Sequence, residues 1–95
     1  MYARVVRFTD VSAERIEQLL AAIRESGGPP PGVSISRLQL LFDAEQGTAV
    51  VLQYFDSAQD MATAAQVFAA MDASDTPGKR VAVDTCEIKL DLTPS

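Results

Sequence analysis

Residues 33 to 55 read VSISRLQLLFDAEQGTAVVLQYF, and this stretch decides the fold. Two runs, 33–42 and 48–55, are rich in Val, Ile, Leu, Phe and Tyr and flank the polar segment Asp43-Ala44-Glu45-Gln46-Gly47. β-Branched and aromatic side chains suit a pleated surface, and a short polar connection ending in glycine closes a hairpin. Paired symmetrically about Glu45, Phe42 faces Thr48, Leu40 faces Val50, Leu38 faces Leu52 and Ser36 faces Tyr54. One face of the hairpin is then apolar. The other carries Ile35, Arg37, Gln39, Leu41, Ala49, Val51, Gln53 and Phe55, which is also largely apolar but holds a polar patch.

Upstream, residues 2–8 (YARVVRF) are too short for a good helix and read as a strand. Ser12 is the expected N-cap of a first helix, with Glu14 favourably placed against the helix dipole. Ile16, Leu19, Leu20 and Ile23 then form one apolar stripe, and the helix is expected to run to about Arg24. Gly27 and Gly28 stop it, the first able to adopt a left-handed cap, and Pro29 to Pro31 keep it stopped, so 25–32 reads as a loop. Downstream, Ser57 caps a second helix with Asp60 three residues on. Met61, Ala64, Ala65, Phe68 and Met71 follow at helical spacing, predicting a helix over 58–71. Asp72 to Lys79 contains Pro77-Gly78 and turns the chain, residues 80–92 (RVAVDTCEIKLDL) read as a long last strand, and Thr93-Pro94-Ser95 is a loose tail.

The order is β-α-β-β-α-β. Right-handed crossovers place both helices on one face of a four-stranded antiparallel sheet, an α+β architecture in a single domain over 1–95. Two helices cover one sheet face only, yet both hairpin faces are largely apolar. An exposed patch of that kind marks an association surface, and a two-fold dimer is the commonest closed assembly. The expectation is a homodimer closed sheet against sheet.

Composition narrows the partners. The 95 residues are 47% hydrophobic and 22% charged, which is globular, and the formal net charge of −5 repels phosphate backbones and anionic headgroups. Nucleic acid and membrane surfaces are therefore not expected partners. The longest uncharged runs, such as Met61 to Met71, fall short of the roughly 18 residues a membrane-spanning helix needs. The opening MYARVVRFTD has arginines where a signal peptide has a continuous apolar run, which reads as cytoplasmic. The lone Cys86 cannot form an intramolecular disulfide and is expected to be a small buried filler.

The opening strand YARVVRF, the strand-to-helix junction LQYFDSAQDM and the closing strand CEIKLDL resemble the dimeric α/β-barrel superfamily. That group includes stress-responsive barrel proteins and small antibiotic-biosynthesis monooxygenases, and the closing strand is similar to that of uncharacterised actinobacterial members. The resemblance covers residues 2 to 92. It implies a ferredoxin-like protomer, a two-fold dimer with sheets back to back, and a pocket between helices and sheet. It does not imply one activity, because function resides in sites and not in the fold.

Much chemistry is closed to this chain. It has no histidine, no tryptophan and no asparagine. Haem-degrading members of that superfamily use all three types, and the peroxidase-like relatives use a proximal histidine, so no haem site is carried over. No histidine and one cysteine also leave no Ser-His-Asp or Cys-His nucleophile and no soft metal site, and no Asp-x-Asp-x-Asp loop offers a hard one. No cofactor or metal is expected. Pro77-Gly78-Lys79-Arg80 fails as a phosphate loop because Ala73 stands where the leading glycine belongs and Arg80 where Ser or Thr binds magnesium. The strand 48–55 lacks the basic-Gly-aromatic opening of an RNA-recognition strand.

One polar group remains. The symmetric register places Arg37 across from Gln53 with Gln39 beside them, suited to orient a small ligand's carbonyl or carboxylate, with Tyr54 or Tyr2 as hydrogen-bond donor or acid. On the structural reading they bond each other, water or a partner chain. The expectation is a homodimer that holds a small apolar ligand without a catalytic motif. The alternative is a cofactor-independent monooxygenase or isomerase acting on a polyketide-like aromatic, where the substrate supplies the electrons.

Overall fold

Helix caps, strand alternation and two glycine turns divide the chain much as its sequence suggests. The computed structural model describes residues 1–27, 32–69 and 77–94. The elements are β1 (Tyr2–Thr9), α1 (Ala13–Ser26), β2 (Arg37–Asp43), β3 (Thr48–Phe55), α2 (Ala58–Ala69) and β4 (Lys79–Glu87). The strands form one antiparallel sheet in the order β2-β3-β1-β4. This is the α+β, ferredoxin-like β-α-β-β-α-β arrangement.

Both helices start on serine caps. Ser12 is extended and its Oγ accepts the Arg15 N–H at 3.1 Å, while Ser57 Oγ accepts the Asp60 N–H at 3.1 Å. At its far end α1 runs to Ser26, two residues past Arg24, before Gly27 takes the left-handed conformation (φ 74°) that ends it. Ile16 and Leu20 of α1 pack on Val6, Phe8 and Ala49, with Val11 closing the cluster. Under α2, Phe55 and Ala64 are fully buried, joined by Val33 and flanked by Tyr2, Met61 and Phe68. Both clusters lie on the same sheet face. Pro77-Gly78 brings the chain into β4 so close to β1 that a Cβ on Gly78 would stand 2.5 Å from the Thr9 carbonyl oxygen, a separation only glycine avoids.

Three expectations are corrected. The strand expected over 33–42 begins at Arg37. Val33 turns into the core instead, and Ser36 bonds the Tyr54 carbonyl through both its N–H (2.8 Å) and its hydroxyl (3.1 Å). The last strand ends at Glu87 and not at residue 92. Its pairing partner β1 gives out there, since Glu87 lies opposite Tyr2 and the Ile88 N–H takes the Met1 carbonyl at 2.9 Å. Leu90 and Leu92, past the end of the strand, stand 79% and 72% exposed. The expected features at residues 28–31 and 70–76, among them the triple proline and Met71, lie outside the described residues.

The third correction concerns the hairpin register. Asp43 pairs with Thr48, Phe42 with Ala49, Leu40 with Val51, Leu38 with Gln53 and Arg37 with Tyr54, one residue off the symmetric pairing. Asp43 causes the offset by acting as both the last strand residue and the turn's cap. Its Oδ1 accepts the N–H groups of Glu45 and Gln46 at 3.1 Å each, its carbonyl accepts the Gly47 N–H at 2.9 Å, and Gly47 sits at φ 67°. Because side chains alternate, a shift of one residue moves every β3 side chain to the other face relative to β2.

Candidate functional site

The register separates the polar group expected on one face. Arg37, Gln39 and Tyr54 share the open face of the sheet, away from the helices. There the Tyr54 hydroxyl donates to Gln39 Oε1 at 2.9 Å, and the Arg37 guanidinium lies 5.9 Å from the centre of the Tyr54 ring, within cation-π range. Gln53 is absent from this group. It faces the helices, so Arg37 stands opposite Tyr54 and not opposite Gln53. The rest of the open face is apolar at its centre, with Val5, Val50 and Leu52 half-buried and Leu41 exposed. Cys86 also lies here, opposite Ala3, and is exposed instead of being the expected buried filler, because β4 is an edge strand and no described residue packs above it on this face. Tyr2 lies on the helix side, packed against the cluster beneath α2.

The helix side holds a charge. In β1, Tyr2, Arg4, Val6 and Phe8 alternate toward the helices, which makes Arg4 the direct cross-strand neighbour of Gln53. Arg4 is only 6% exposed, as is Gln53. Arg4 Nη1 donates to Gln53 Oε1 at 2.9 Å, and the guanidinium lies 5.1 Å from the centre of the Phe68 ring on α2. This is the one hydrogen bond of the Arg4 side chain among the described residues, and Nε is buried with no acceptor. Among the described residues the ion pair formed is Lys89 with Glu87, far out on the surface, and none of the described carboxylates pairs with Arg4. Burial, and after it the charge of Arg80, pull the Arg4 guanidinium below its ordinary pKa. A buried charge is costly unless paired, and here it is met by a neutral amide and a ring face.

Sequence reasoning missed Arg4, although the signal was present. In YARVVRF the alternation that sends Tyr2, Val6 and Phe8 inward sends Arg4 with them, while Arg7 goes outward. Among the described residues no group of three His, Cys, Asp or Glu side chains could hold a metal ion, and no helix is long and apolar enough to cross a membrane. No protein-family model matches the chain, and no curated protein is significantly similar to it.

Proposed function

We propose that the chain is a homodimeric, non-catalytic binding module of the dimeric α/β-barrel kind, in which two copies pack their open sheet faces together and each holds a small, largely apolar molecule between helices and sheet. One observation carries the reading: the open face has an apolar centre of Val5, Val50, Leu52 and Leu41 that nothing among the described residues covers. A face with helices on one side only is expected to be polar on the other, and this one is not.

A second copy is the occupant that fits. The face carries both signs around its apolar centre: Arg37 and Asp43 at the two ends of β2, Arg7 on β1 and Asp84 on β4. Under a two-fold axis a surface whose charges of both signs surround an apolar centre can set each charge against its opposite on the second copy. The trio of Arg37, Gln39 and Tyr54 then rims the interface, its hydroxyl and amide already bonded to each other. The extended tail adds to this, since Leu90 and Leu92 alternate with Lys89 and Asp91 as in a half-buried strand, yet both are exposed.

Sedimentation equilibrium tests the pairing. The parent is expected at twice the 10.2 kDa chain mass. Leu41→Glu, at a position already 50% exposed and so tolerated by the protomer, is expected to return it to monomer. A monomeric parent, or a variant that dimerises as tightly as the parent, sinks the reading.

A further inference from the structure

We infer that the Arg4–Gln53 pair beneath α2 is a binding site for the carboxylate or enolate oxygen of a small, flat, apolar molecule. The inference deepens the small-molecule half of the proposed reading and rests on it, but it is independent of whether the open faces pair.

Three observations converge on this chemistry. A guanidinium offers a carboxylate two parallel donors along one edge, Nε and its neighbouring Nη2. In Arg4 the opposite nitrogen, Nη1, is the one held by Gln53; Nε is buried without a partner, and no described residue bonds the Nε edge. The arginine is thus fixed in place by a partner that does not consume its best anion-binding edge. Its plane is supported by Phe68, and Tyr2 and Met61 belong to the same partly buried apolar cluster. A charged donor set among rings and methionine suits an anion carried on an apolar body better than a fully hydrated inorganic ion. Finally, the positive charge has no counter-charge among the described residues. Arg80, opposite Phe8 on β4, adds a second cation nearby, and no described carboxylate pairs with either one. A ligand oxyanion would supply the missing charge, and the low local dielectric would strengthen its attraction.

The Arg4 Nε–H is itself the probe. Arginine Nε–H resonances are resolved in nitrogen-15 spectra when exchange with water is slow, as burial of this group provides. We expect sodium benzoate and 2-naphthoate to shift the Arg4 Nε–H signal saturably and to raise the thermal midpoint. Benzyl alcohol, with a similar body and no charge, should bind at least tenfold more weakly. Arg4→Met should abolish the benzoate response. Gln53→Glu guards against a variant that merely misfolds: it gives Arg4 an internal carboxylate at the same position, so it should fold at least as stably as the parent and yet lose the benzoate response.

The failures are separable. Benzoate and benzyl alcohol binding alike, or a Gln53→Glu variant that responds to benzoate as the parent does, would overturn the anion site and leave small-molecule binding standing. Binding of neither benzoate, 2-naphthoate nor benzyl alcohol would overturn both.

Discussion

The two halves of the core share one sheet face and differ in what they bury. Under α1 the packing is wholly apolar: Val6, Phe8, Val11, Ile16 and Ala49, with Leu20 against them. Under α2 the equally buried Phe55 and Ala64 share their side of the sheet with an arginine and a glutamine, each 6% exposed. The first half is what folding alone requires, since apolar burial is the main stabilising term. The second half contains a group whose burial opposes folding, held by a single amide and a ring. Small domains keep only about 5–15 kcal/mol of net stability, so an uncompensated charge in one half of the core is a large concession. The contrast separates a half that folding alone explains, closed by α1, from a half under α2 that folding does not explain and that holds the proposed site.

The sharpest test sets two β1 residues of the same face against each other. Phe8→Ala empties the α1 half and is expected to cost about 3–5 kcal/mol, a large share of the total, read as the loss of urea midpoint at constant m. Arg4→Met, four positions earlier, removes the unpaired charge but orphans the Gln53 carbonyl, an opposing cost of about 1–3 kcal/mol, so little net change is expected. If Arg4→Met were as damaging as Phe8→Ala, the arginine would be a structural member of the core and the contrast between the halves would collapse.

A double-mutant cycle refines the same point at a smaller scale. Gln53→Leu alone strips the guanidinium of its hydrogen bond at 2.9 Å and is expected to cost about 2–3 kcal/mol, as for hydrogen bonds to charged groups. Combined with Arg4→Met, that cost should vanish and stability should meet or exceed the parent, since apolar side chains of similar volume replace a buried charge without loss. The strong non-additivity is the measurement. Additive costs would mean that the two side chains stabilise through separate contacts.

How much of this was legible depends on the kind of signal. Local signals carried through: Ser12 and Ser57 cap as their sequence context suggests, and Gly27 takes the left-handed conformation that ends α1. Alternation was equally readable, and Arg4 follows from it once Tyr2, Val6 and Phe8 are seen to face inward. The pairing offset was less accessible, because it depends on a side chain. Asp43 counts toward the strand by its pairing with Thr48 and toward the turn by its two Oδ1 hydrogen bonds, and composition favours neither role. That single residue decides whether Gln53 joins Arg37 or Arg4, so the elements could be read while the site could not. The end of β4 was obscured for another reason. The alternation of IKLDL is that of a strand, but the pairing with β1 stops at Tyr2 opposite Glu87, and alternation within one segment does not say how far its neighbour pairs.

The smallest expected effects come from the two helix caps, and they probe the contrast most specifically. Ser12→Ala and Ser57→Ala each remove one hydroxyl acceptor from a backbone N–H at 3.1 Å, and each is expected to cost about 1 kcal/mol. By stability alone the two variants should be nearly indistinguishable. They loosen different roofs, however. Ser57 holds the first turn of α2, the helix that carries Phe68 to within 5.1 Å of the Arg4 guanidinium, whereas Ser12 holds α1, whose side chains pack on the apolar half. Fraying of α2 opens the cover of Arg4 to water, so Ser57→Ala should speed exchange and broaden the Arg4 Nε–H resonance, while Ser12→Ala should leave it as sharp as in the parent. Equal broadening in both variants would mean that the two halves open together as one cooperative unit, and the division between a stabilising half and a binding half would then describe composition only and not behaviour.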